Sequence, residues 1–367
     1  MGKNTFNGEL LMRKMSIVPS GAMKMDALKE AIRQADEAKE DYYRLIFRYD
    51  YASEATFHDD PPKAMPVAAE FSHIFEENPT ALPEDSGKDA YLMIVQMGID
   101  PIVHLPQIPI TQWEELMKQF YDLVKHYHVG LRTYWKQMTN FWQYIDKEKA
   151  FEYFEKFWKT GRDSLSDCRA CDRSFAVQMC LLVGDRKAAD EYAKPLKAGR
   201  IRFCPDTPQL YWLAYLENAL DQGNLKEATP LANQLFCKGN RDKGDLSYLG
   251  AVLRCWAYTD LDKAIEKLTS RLEWTFGMWD QKKIYDFYKG ALACFRELAK
   301  RQEVVSLNLS KDFPLYNEEN SYNCTVLADW FYDQAEIIGK RFDARNQSDY
   351  FAKNLALTCA CEGQKVE

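Results

Sequence analysis

The chain has 367 residues and a net charge of −7, and its charges are mixed along its length with no long run of one sign. That balance argues against nucleic acid or an anionic membrane surface as the main partner. An apolar fraction of 46% with 14% aromatics is ample for a packed core, and no run of eighteen apolar residues offers a membrane span.

The first residues, 1–22, show no clear period and contain Pro19-Ser-Gly21, so they read as a loose leader. They lack the apolar core of a secretory signal and the Ser or Thr of a myristoylation motif, which points to the cytoplasm. From Lys24 the pattern turns helical and stays so. The spacing of apolar residues predicts helices over 24–38, 41–57, 61–77, 88–98, 111–128, 130–145 and 147–160. It predicts seven more over 168–183, 185–198, 206–222, 225–238, 242–259, 261–275 and 280–302. The run from Gly98 to Ile110 holds three prolines and interrupts the series as a non-helical apolar loop, which either caps a repeat or crosses a concave face. Val304–Leu309 is the best strand candidate.

A short phrase recurs along this series: Asp146-Lys-Glu-Lys-Ala150, Asp185-Arg-Lys-Ala-Ala189, Asn224-Leu-Lys-Glu-Ala228 and Asp260-Leu-Asp-Lys-Ala264. The alanines are 39, 39 and 36 residues apart, and Asp60-Pro-Pro-Lys-Ala64 is a further copy upstream. Each Asp or Asn stands where a helix N-cap is wanted, and Gly184 and Gly223 supply sharp turns before two copies. Bulky helices carrying residues such as Trp135, Trp142, Tyr211 and Trp256 precede the phrase, and small-residue helices follow it. This is the logic of a tetratricopeptide-like repeat with degenerate signature positions. The expected fold is all-α: a right-handed α–α superhelix over 23–302, closed by a C-terminal helical cap over 303–367. In that cap, helices around 328–342 and 349–358 cover the array's open end, with Trp330, Phe331 and Ile337 as the covering stripe.

The middle and end of the chain resemble a family of uncharacterised bacterial tetratricopeptide-like proteins. The likeness rests on Ser166-Asp-Cys-Arg-Ala-Cys171, Gly184–Ala189, Ala198-Gly-Arg-Ile-Arg-Phe-Cys204 and Gly223–Ala228. The tail adds Leu327-Ala-Asp-Trp-Phe-Tyr-Asp-Gln-Ala335 and Phe342-Asp-Ala-Arg-Asn346. The resemblance implies a helical repeat fold and carries no activity, substrate or cofactor.

Ten cysteines lie between positions 168 and 361. Most fit helical-core spacing as small hydrophobes. Cys168 and Cys171 stand at a predicted helix start, and Cys204 stands one repeat later on the same edge, so the three thiols can converge. A helix N-terminus favours thiolate there. Three outcomes are open for them: packing thiols, a disulfide or redox switch, or a structural zinc site. Zinc wants four ligands, so Asp167, Asp172 or Asp206 would have to complete the set. His58, His73, His104, His126 and His128 form no metal pair, and no phosphate loop, dinucleotide motif or nucleophile elbow is present. The sequence thus names no catalytic residue. It favours a protein- or peptide-binding adaptor, with a metal- or thiol-dependent regulator built on Cys168, Cys171 and Cys204 as the rival.

Overall fold

In a computed structural model, residues 6–205, 207–238 and 242–364 are described. They form seventeen α-helices and one two-stranded antiparallel sheet, so the all-α expectation holds. The chain divides into two compact units, residues 1–138 with 155–166 and residues 139–154 with 167–367. The division falls within the stretch expected to be one uninterrupted array.

The first unit contains α1 (Gly8–Met15), α2 (Ala22–Ala38), α3 (Asp41–His58), α4 (Ala64–Glu77), α5 (Glu84–Ile99) and α6 (Ile110–Tyr127). It also takes the start of α7 (Leu131–Trp142) and the end of α8 (Lys147–Lys159). From α1 to α6 each helix packs on the next in sequence. Helix α1 corrects the expectation of a loose leader. Asn7 caps it by accepting from the Leu10 amide at 2.9 Å, and Met15 at its end is buried. The proline-rich run is likewise less irregular than its composition suggests. A 3-10 turn spans Asp100–His104, with Pro101 in its first turn, where a missing amide proton costs nothing. Ile102 is fully buried there.

The second unit contains the rest: α9 (Arg169–Leu182), α10 (Arg186–Lys197), α11 (Gln209–Asp221), α12 (Leu225–Lys238), α13 (Leu246–Thr259), α14 (Leu261–Arg271) and α15 (Gln281–Ala299). After these come β1 (Val304–Ser306), β2 (Ser321–Asn323), α16 (Cys324–Asn346) and α17 (Tyr350–Ala356). Strand β1 pairs antiparallel with β2, Val305 opposite Tyr322.

The recurring phrase does what its chemistry demands. Asp146, Asp185, Asn224 and Asp260 each accept from the amide three residues on, at 2.9, 2.9, 3.1 and 3.4 Å. The alanine that ends each phrase is completely buried, where a small side chain lets the neighbouring helix come close. Gly184 and Gly223 adopt φ of +80° and +70°, the left-handed conformation that ends a helix. Helices then pack in a regular order. α9, α11, α13 and α15 stand each beside the next; α12 and α14 pack between successive members of that row, while α10 packs on α9 and meets α11 where Tyr215 donates to Asp190.

Helix α16 lies along α15, with Phe295 and Phe331 stacked at 5.5 Å. Its covering stripe differs by one residue from the expected one: Ile338 is buried, while Ile337 is half exposed. The final segment also differs from the simple cap expected for 303–367. After Gln347, which turns the chain in the left-handed conformation, α17 and the residues beyond it return to the helix row.

Candidate metal centre and tail-binding row

Cys168 is the N-cap of α9, its sulfur accepting from the Cys171 amide at 3.3 Å. That bond fixes Cys171 one turn further on, over the same helix end. Cys204 precedes α11, and because α9 and α11 are neighbours its sulfur comes to 3.2 Å from that of Cys171. All three sulfurs lie within 4.8 Å of one another. The Thr207 hydroxyl stands 3.3 Å from Cys204 Sγ and 3.8 Å from Cys171 Sγ.

These spacings bear on each chemistry the cysteines could perform. A disulfide needs sulfurs about 2 Å apart, so Cys171 and Cys204, 3.2 Å apart, are in contact but not bonded. Tetrahedral zinc–thiolate bonds of about 2.3 Å put sulfurs roughly 3.8 Å apart, within the span seen here. Among the described residues the converging group holds these three cysteines alone. Asp167 and Asp172 do not join it, no histidine does, and Asp206 lies outside the described residues.

The expected effect of the helix N-terminus on the thiols is overturned at Cys171. Burial, with hydrogen bonds to Cys204 and Cys168, pushes its thiol well above the ordinary range. A cation set among three sulfurs reverses that balance, because a coordinating thiol is deprotonated by the metal.

The second feature is the returning tail, which sequence reasoning missed. Arg254 is buried in the middle of α13 and donates from Nε to the Thr358 carbonyl at 2.8 Å, and from Nη2 to the carbonyl of Leu357. Its remaining nitrogen pairs with Asp221 at 2.7 Å. Tyr285 on α15 donates to the Phe351 carbonyl at 2.7 Å, and Cys361 reaches the Leu220 carbonyl at 3.4 Å. Phe351 is completely buried between Phe342 and Tyr285. Residues 350–361 are therefore held on α11, α13 and α15 by three main-chain carbonyls, those of Phe351, Leu357 and Thr358, and by the buried side chains of Phe351, Leu355 and Cys361. The signal was present in the sequence as one arginine inside an otherwise apolar helix, a position a plain core would not fill.

No known family, curated protein or solved structure matches the chain. No helix among the described residues is long and apolar enough to cross a membrane.

Proposed function

We propose that the protein is a protein- or peptide-binding adaptor built on tetratricopeptide-like helix pairs wound into a right-handed superhelix. The row α9, α11, α13 and α15 would be its concave, ligand-bearing face. The observation that supports this reading is the tail itself. Arg254 and Tyr285 bond main-chain carbonyls of residues 351–358, and contacts of that kind tolerate many side-chain sequences. A face that takes one peptide in this way can take another.

The test uses a chain ending at Gln347, its helix content checked by circular dichroism, and a fluorescent peptide of residues 348–364. The peptide should bind the shortened chain, and the full chain far more weakly because its own tail is present at high effective concentration. Arg254→Gln should weaken binding by about tenfold or more, since hydrogen bonds to a charged donor are worth roughly 1.5–3 kcal/mol. Equal binding to both chains, or none to either, would count against the reading.

The cysteine geometry favours a second reading, in which zinc held by Cys168, Cys171 and Cys204 fixes α9 against α11 and so regulates the row. Protein prepared under reducing conditions with zinc present should retain about one zinc per chain by native mass spectrometry, held by the three thiolates and a fourth, non-cysteine ligand. Cys204→Ser should lose it and melt several degrees lower. Retention of no zinc, with unchanged melting of Cys204→Ser, would leave these residues as packing thiols.

A further inference from the structure

Beside the tail, α9, α11, α13, α15 and α17 enclose a part-open cavity of about 140 Å³, room for roughly ten water positions. Six charged side chains meet in or beside it, three cationic and three acidic. Two pairs are closed within the protein. Lys282 Nζ lies 2.7 Å from both oxygens of Asp286, and Arg254 is bonded to Asp221.

The third pair is open. Lys289 is 6% exposed, lies over the Tyr285 ring, and among the described residues its ammonium makes one hydrogen bond, to Asn354 Oδ1 at 2.5 Å, which leaves two of its three donors unused by them. Glu217, on α11, accepts no hydrogen bond and forms no ion pair with any described residue, and it lines the cavity together with Lys289. The hydroxyls of Tyr144 and Tyr350 and the amide of Asn218 also line it and are likewise unused by described residues. An ammonium and a carboxylate left unpaired by the described residues in one part-open, mostly buried cavity cost the fold free energy unless water or a ligand bridges them. Their environment registers that cost: burial lowers Lys289 to about 8 and raises the Glu217 carboxyl.

The balance of charge restricts what the bridge can be. A purely anionic ligand would face Glu217, Asp221 and Asp286; a purely cationic one would face Lys282, Lys289 and Arg254. A small zwitterion satisfies both open groups at once and fits the volume. We propose that this cavity binds a free α-amino acid, its carboxylate on Lys289 and its ammonium on Glu217. Tyr144, Tyr350 and Asn218 then offer hydrogen bonds to whatever side chain or charged group reaches them. This inference is independent of the adaptor reading, because it concerns a small molecule in a part-open cavity rather than a peptide along the helix row.

The full chain tests it. The twenty standard L-amino acids, each at millimolar concentration, are screened by thermal shift, and hits are measured by calorimetry alongside their N-acetyl and carboxamide analogues and glycerol. At least one amino acid should raise the melting temperature, and blocking either end should weaken it about tenfold or more. Glu217→Gln and Lys289→Met should each weaken binding by a similar factor while keeping cooperative melting. No shift with any amino acid, equal binding of the blocked analogues, or an equal response to glycerol would overturn the proposal. Should either variant fail to fold, the analogue comparison on the unaltered chain decides the matter alone.

Discussion

Lys289 carries the clearest consequence for stability. In the unfolded chain a lysine keeps its proton up to about pH 10.5, whereas in the fold burial and the nearby Arg254 charge lower this one to about 8. Below pH 8 the fold therefore bears the full cost of the buried ammonium, on the order of 3 kcal/mol. That cost fades as pH rises from about 8 towards 10.5. Lys289→Met should thus be more stable than the parent at neutral pH, and its advantage should shrink across that window. Comparing the two chains by urea unfolding at several pH values isolates this residue from the cysteines and tyrosines that also titrate there. A constant difference from pH 7 to pH 10 would contradict the account.

What was legible at this scale depended on the kind of signal. Cys168, Cys171 and Cys204 could be brought together from sequence because their spacing equals one repeat and they share a helix edge. Lys282, Asp286 and Lys289 also repeat at helical spacing on α15, but a charged stripe on a helix is ordinarily a solvated face. Only packing tells which side faces inward. Ile337 and Ile338 are consecutive and so point about 100° apart around the helix axis, and the burial of one rather than the other is set by how α16 rotates against α15.

Elements were read best where a local rule and the fold agree. Asp185 and Asn224 cap their helices through amides three residues on, so Asp185→Ala or Asn224→Ala should each cost about 1 kcal/mol in denaturant unfolding. Loss of nothing measurable in either would contradict the capping role. Helix α1 was missed because eight residues give too little periodicity to stand out, and its end is fixed by burial of Met15 rather than by pattern. A tighter constraint lies where α13 crosses α15. A methyl group at Gly250 would overlap the Asp286 carbonyl, and one at Gly290 would overlap the Gly250 carbonyl. Both obstacles are backbone, which cannot rotate away. Gly250→Ala and Gly290→Ala should each destabilise by about 1–3 kcal/mol or more despite the better helix propensity of alanine. Unfolding free energies equal to or above the parent's would refute that close crossing.

For the whole molecule, the all-helical class and the order of helices from α2 to α16 follow from periodicity and caps. Two features did not. The division into two units falls within α7 and α8, whose sequence periodicity continues without a break, because compactness depends on long-range contacts that no local pattern encodes. The return of residues 350–361 onto α11, α13 and α15 was hidden because a short amphipathic tail reads equally well as an end cap. Its anchor is Arg254, whose guanidinium satisfies two tail carbonyls and Asp221 together. In the full chain, Arg254→Gln should raise hydrogen exchange of tail amides well before the rest of the second unit exchanges.

The central claim is that the row of α9, α11, α13 and α15 receives peptide segments of another protein. Cross-linking in the cells that make this protein, followed by affinity purification and mapping of the linked residues, tests it most directly. The account predicts one stoichiometric protein partner linked to residues on that row or on the tail it displaces. It also predicts reduced recovery of that partner when Arg254 is replaced by Gln. A partner linked only to α10, α12 and α14, or no partner above background, would contradict it.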